Sequence, residues 1–256
     1  MKYQKVVFAS FLVIVITSFL WRILYRIGDA SLIGMVPLSL LIFFGSYTTI
    51  LGSSRASLDS ILSETTRLRT WLKGRIVSTA LSLFVTAAGV FLVAYKSLVA
   101  QPWEIIVSIL CVVTTSLVFV RASNQLQPHV NPRYLLTATS SVTVLTVGTL
   151  FFFIYIYSLW NIQTIPEYIS NESLLASIQI ALEYLPQGIG FVAGLIEIAT
   201  ALEVLKTWVV INADSAVGFM PIIYVVYGAF FGYFQVRVVV AVVSAIIFML
   251  NMNQEN

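Results

Sequence analysis

Residues Gly232–Val243 read GYFQVRVVVAVV and set a single arginine, Arg237, in the most apolar third of the chain. The apolar stretch around it runs from Ala216 to Met252. As one helix rising 1.5 Å per residue it would be about 55 Å long, against a hydrocarbon core of about 30 Å. That length favours two spans hinged at Phe234–Arg237, with the guanidinium of Arg237 reaching the membrane surface at the turn. Against this, Tyr233–Leu250 holds no Gly, Pro or Asn with which to turn tightly. The other reading is one long tilted helix beginning at Pro221. It leaves Arg237 near mid-depth, where an unpaired charge is costly and needs a partner; Glu197 is the obvious candidate.

Composition places the rest of the chain in the same solvent. Of 256 residues, 59% are hydrophobic and only 10% charged, with a mean hydropathy of +0.95. A soluble domain carries about one-quarter charged residues. Apolar runs recur near Val6–Leu24, Ser31–Leu51, Ile76–Tyr95, Trp103–Val120, Leu135–Trp160 and Gly188–Leu205, each close to the roughly 20 residues a helix needs to cross a bilayer. The expected fold is therefore an all-α, polytopic helical bundle of seven or eight spans, eight being favoured, forming a single integral membrane domain over 1–256. Trp21, Trp103, Trp160 and Trp208 fall at span edges, where indoles prefer the headgroup belt. Lys2 and Lys5 precede the first apolar run, as in a signal peptide, but Trp21 and Arg22 stand where a cleavage site needs small residues, so the first span is retained.

Orientation follows from counting Lys and Arg, which concentrate on the cytoplasmic side. With the N-terminus cytoplasmic, Lys2, Lys5, Arg55, Arg67, Arg69, Lys73, Arg75, Arg121, Arg133 and Lys206 share that side, and Arg22, Arg26, Lys96 and Arg237 oppose them.

Glu197 stands out. The segment GIGFVAGLIEIATALEVLK puts its carboxyl near the centre of the sixth apolar run, and an ionisable group at that depth is a functional candidate by default. Glu197, Thr200 and Arg237 form the candidate transport or gating set. A hydrogen-bonded Glu that locks two helices together is the competing reading. Glu203 and Lys206, three residues apart, read as a paired interfacial anchor. Gly190 with Gly194, and Gly228 with Gly232, spell two GxxxG motifs that would let helices pack closely. Hydroxyls recur at helical spacing in Ser78, Ser82 and Thr86 and in Thr139, Thr143 and Thr146. Such stripes line hydrated paths or, more commonly, join helices and bond their own backbone.

Two segments between spans are amphipathic. Residues 55–73 carry Leu58, Ile61, Leu62, Leu68 and Leu72 on one face with a basic end, the pattern of a cytoplasmic helix lying on an anionic membrane surface or docking a partner. Residues 170–185 do the same on the opposite side with an acidic surround, starting at a Ser170 or Asn171 cap and stopping at Pro186. Asn171–Ser173 also spells a glycosylation sequon.

Catalytic and cofactor motifs are missing. The one histidine, His129, lies in a Pro-flanked loop, and the one cysteine, Cys111, lies in an apolar run. Neither belongs to a metal or haem pattern, and no nucleophile elbow or Walker lysine is present. Gly188, Gly190 and Gly194 follow no strand, so they are not a dinucleotide loop. A net charge of +3 spread along the chain does not suit a nucleic-acid groove. No enzyme, cofactor or metal is expected. The expected partners are the lipid bilayer and either further copies of the chain or other membrane subunits. Two functions remain: a transporter or channel for ions or small solutes with Glu197 as its proton- or cation-responsive site, and a non-catalytic subunit of a larger membrane complex.

Overall fold

The computed structural model describes residues 2–61, 75–161, 166, 169, 173–212 and 220–252. Helix α1 (Lys2–Leu24) is joined by two short 3₁₀ segments, Tyr25–Ile27 and Asp29–Met35, to α2 (Val36–Ile61). There follow α3 (Arg75–Val99), α4 (Pro102–Leu126), α5 (Pro132–Asn161), α6 (Leu174–Glu183), α7 (Phe191–Asn212) and α8 (Met220–Met252). Six of these helical segments, α1 to α5 and α8, are long and apolar enough to cross a membrane. The protein is an all-α, multi-pass membrane protein.

The count is six among the described residues, and the two spans in excess have separate explanations. The hinge expected at Phe234–Arg237 does not exist, because α8 runs unbroken through it. The length calculation assumed that the whole apolar stretch sits in hydrocarbon. Within the one helix Met220–Met252, the described segment Gly228–Leu250 is long and apolar enough to cross a membrane once, about 34 Å at 1.5 Å per residue. The sixth apolar run fails differently. Its helix, α7, begins beside the α1–α2 connection and stays level with the last turn of α3 and the first of α4, where Thr200, Glu203 and Thr207 meet Tyr95, Val99 and Gln101 around one cavity. It lies across the end of the bundle instead of passing through it.

Short links between antiparallel neighbours put the starts of α1 and α5 and the ends of α4 and α8 at one end, where Val6, Val120, Leu136 and Leu250 share a cluster. Both described chain ends therefore lie together. Lys206 moves to the opposite end, beside Lys96.

Helix α8 is the axis of the bundle. From Val236 to Ala245 every side chain is buried except that of Arg237, as expected of a helix that is apolar all round and encased by others. Close approach depends on small residues. A Cβ on Gly45 of α2 would stand 1.8 Å from the Ala241 carbonyl oxygen, so these two backbones cross in direct contact. On α5, Gly148 meets the Tyr233 ring, and on α8, Gly232 meets the Tyr155 ring. The first expected motif works otherwise than by helix packing: Gly194 has nothing within 4 Å, and Gly190 precedes α7 with φ +104° against the Asp29 carboxylate. Gly228 lines the cavity at the far end.

Trp21 departs from the aromatic belt. It is wholly buried beside Tyr25, ring centroids 5.7 Å apart. Of the amphipathic stretch 55–73, residues 55–61 simply extend α2, and the remainder falls outside the described residues. The second stretch contains α6, which is shorter than expected and capped by Ser173, whose hydroxyl accepts from the Ala176 N–H at 3.4 Å. The sequon residues Asn171 and Glu172 lie outside the described residues.

Candidate functional site

The site is built at the end of the bundle opposite the termini, starting from a two-residue link. Ala100 and Gln101 join α3 to α4, and Pro102 opens α4 with the fixed φ that suits a first helical turn. Glu104, three residues after the cap, accepts the Gln101 N–H at 2.9 Å through Oε2, forming a capping box. Its other oxygen, Oε1, pairs with Lys96 Nζ on the last turn of α3. Trp103 Nε1 donates to the Gln101 side chain at 2.8 Å, so the turn is held from both sides. The Lys96 ammonium also stands 5.0 Å from the centroid of the Phe231 ring of α8.

Helix α7 is fixed over this end from the other direction. Asp29, in the α1–α2 connection, accepts the first two amides of α7, from Phe191 at 3.1 Å and Val192 at 2.9 Å. A carboxylate there satisfies orphan N–H groups and opposes the positive end of the helix dipole. Three glycines make the junction fit. Gly28, at φ +86°, lies against the Ile189 carbonyl, Gly188 against the Tyr25 ring and Gly190 against Asp29 itself.

So anchored, α7 brings Glu203 and Lys206 against the α3–α4 turn. The Tyr95 hydroxyl donates to Glu203 Oε2, and Lys96 and Lys206 are the two cations acting on that carboxylate. Below them Tyr155 donates its hydroxyl to Gln235 Oε1 at 2.8 Å. Together with α6 they line an open chamber of about 570 Å³, in which Lys96, Glu104, Glu203 and Lys206 share the wall with Tyr95, Tyr155, Tyr184 and Phe231. Among the described residues of the wall two lysines face two glutamates, so their charges balance. Its volume lies in the range of small-molecule sites, about 300–1,000 Å³. Buried charges are tolerated when paired and hydrogen-bonded, as Lys96 and Glu104 are with each other and Glu203 is with Tyr95.

Of the residues expected to serve transport or helix packing, only Thr200 and Gly228 line the chamber, together with Glu203 and Lys206, which were expected to form an interfacial anchor. The Thr200 hydroxyl is turned to the Ile196 carbonyl of its own helix at 2.9 Å. Glu197 is exposed on α7. Arg237 is exposed on α8, and no pair joins the two among the described residues. The hydroxyl stripes bond their own helix backbones: Ser82 donates to Ser78 O and Thr86 to Ser82 O, both at 2.6 Å, and Thr146 to Val142 O at 2.8 Å. Ser78, Thr139 and Thr143 are buried in the packed bundle. Cys111 is buried against Thr115, and His129 is exposed. Among the described residues no group of three His, Cys, Asp or Glu is placed to hold a metal ion.

Sequence reasoning overlooked Glu104, Tyr95, Tyr155 and Gln235, and read Glu203 and Lys206 as an interfacial anchor. One signal was available. Glu104 stands three residues after Gln101 and just past Pro102, a helix start that places it opposite Lys96 across a very short link. No family model matches the chain, and no similar curated protein or solved structure was found.

Proposed function

We propose that the protein is a membrane transporter for a small, net-neutral dipolar solute, taken up into the chamber from the side opposite the termini. The observation that carries this reading is the charge-balanced wall of Lys96, Glu104, Glu203 and Lys206 around a cavity of ligand size. A solute with one carboxylate and one ammonium replaces the internal pairs one for one, with no change in net buried charge. A lone ion would leave one lysine or glutamate unmatched at a cost.

The same pairs couple occupancy to movement. Tyr95–Glu203 ties α7 to α3, and Lys96–Glu104 ties α3 to α4. A solute that takes over these partners loosens α7 from the ends of the spans. Glu203 thus holds the responsive role that the sequence alone suggested for Glu197. Toward the other side the way is filled by the buried residues Val236 and Val238–Ala245 of α8, so this conformation is closed toward the side of the termini. Lys2, Lys5, Arg55, Arg75, Arg121 and Arg133 at the terminal end outnumber Arg22, Arg26, Lys96 and Lys206 at the chamber end, a bias that favours cytoplasmic termini.

The test is uptake by purified protein in liposomes, screened over zwitterionic, anionic, cationic and uncharged small solutes. Saturable uptake of a zwitterion that is lost on Glu203→Gln supports the reading. Uptake of no class by folded, correctly inserted protein overturns it.

A further inference from the structure

The chamber wall changes character within one helical turn. Its charges gather at the α3–α4 turn: Lys96 pairs with Glu104, Tyr95 donates to Glu203, and Lys96 and Lys206 both act on the Glu203 carboxylate. Four residues before Tyr95 on α3 stands Phe91, and four before Glu203 on α7 stands Ala199, each about 6 Å back along its helix axis. Both line the same chamber, as does Leu202. The two helices that share the Tyr95–Glu203 bond therefore lead from a charged wall to an apolar one.

Aromatic rings bridge the two. The Phe91 ring lies nearly parallel to that of Tyr95, with centroids 6.3 Å apart and planes 11° from one another. Phe231 of α8 also lines the chamber, its ring centroid 5.0 Å from the Lys96 ammonium.

Phe91 and Leu202 are exposed, so their apolar surface is not used up in packing the bundle. Exposed apolar residues elsewhere on the spans need no explanation beyond lipid, but these two border a cavity of ligand size that also holds four charges. Ala199 on the same wall contributes only a methyl group, which leaves space beside Phe91. A zwitterion with no more than its two charged groups would satisfy the lysines and glutamates and leave this apolar wall unmatched. A solute with an apolar group covers it and gains from the burial.

Resting on the transport reading above, we propose that the solute of this site is a zwitterion carrying a bulky apolar group, of the kind found in leucine and phenylalanine. Its carboxylate and ammonium engage Lys96, Glu104, Glu203 and Lys206, and its apolar group lies against Phe91, Ala199 and Leu202.

The test measures binding and uptake separately for the full-length protein, by calorimetry in detergent and by tracer entry into liposomes, with glycine, leucine and phenylalanine as probes. Leucine and phenylalanine are expected to bind at least about tenfold more tightly than glycine, since each methylene withdrawn from water is worth about fourfold. Phe91→Ala removes part of the apolar wall and Ala199→Phe fills the space beside it. Each should cut the preference to about threefold or less while glycine binding stays within about twofold, with thermal unfolding confirming an intact fold. Equal binding of the three probes, or a preference that both folded variants retain, overturns the inference, and glycine uptake in the same preparation would leave the transport reading standing. Preferential binding without uptake supports the apolar wall as part of the site and removes transport. Binding of no probe by folded protein overturns both.

Discussion

Tyr95 of α3 donates its phenolic hydrogen to the carboxylate of Glu203 on α7, joining residues 108 positions apart. The bond ties a membrane-spanning helix to one that crosses the end of the bundle, and it forms part of the chamber wall. Tyr95→Phe keeps the ring and its stacking on Phe91 but withdraws a donor from a poorly hydrated carboxylate. A loss of about 1–3 kcal/mol is expected, read as a lower unfolding temperature in detergent. Thr146→Val, at an exposed threonine bonded to its own helix, should leave that temperature nearly unchanged.

The glycines divide sharply. Gly45→Ala drives a methyl group into the backbone of Ala241, and neither helix can give way without disturbing the axis of the bundle. A loss of about 3 kcal/mol or more is expected, with poor recovery of folded protein. Gly194→Ala, where nothing lies within 4 Å, should be neutral or stabilising by up to about 1 kcal/mol through helix propensity. Thermal unfolding of the two variants side by side checks both. Equal destabilisation would contradict the packing described.

Asp29→Ala removes the acceptor for the first two amides of α7. Hydrogen exchange at Phe191 and Val192 should quicken by about tenfold or more, while amides in the middle of α8 stay protected. If the two amides keep their native protection, the anchoring of α7 lies elsewhere.

The membrane class and most of the helices are legible in the sequence, because hydrocarbon leaves little choice: apolar runs of the right length must be helical and must span or pack. The two misread segments show where that logic stops. Hydropathy along α7 is the same whether the helix crosses lipid or lies beneath a covering helix, and what decides is Asp29, 162 residues before Phe191, which no local window contains. The length of α8 suggested a hairpin, yet Tyr233–Leu250 holds no Gly, Pro or Asn at which to turn, and the helix runs on unbroken. The chamber was hidden for a related reason. Glu203 and Lys206 look ordinary beside each other, and Glu104 looks like a helix cap. Their meaning arises when the α3–α4 turn and α7 meet, a long-range event. Glu197 drew attention through its apolar neighbours in sequence, of which Ile196 is buried while Leu195 and Ile198 are exposed with it.

Six spans put both termini on one side. Epitope tags at the N- and C-termini should be reached by antibody from the same face of sealed vesicles. Access from opposite faces would require an odd number of crossings and would restore either the hairpin or a spanning α7.

The position of α7 is the claim on which the chamber depends, and it can be measured directly. In a Cys111→Ser background, single cysteines are introduced at Phe191 and at Asn212, the first and last residues of the helix, and exposed to a membrane-impermeant maleimide from each side in turn. Labelling of both positions from the side opposite the termini is the expected result. Labelling of the two positions from opposite sides would make α7 a membrane span, separate Glu203 from the α3–α4 turn and contradict the account.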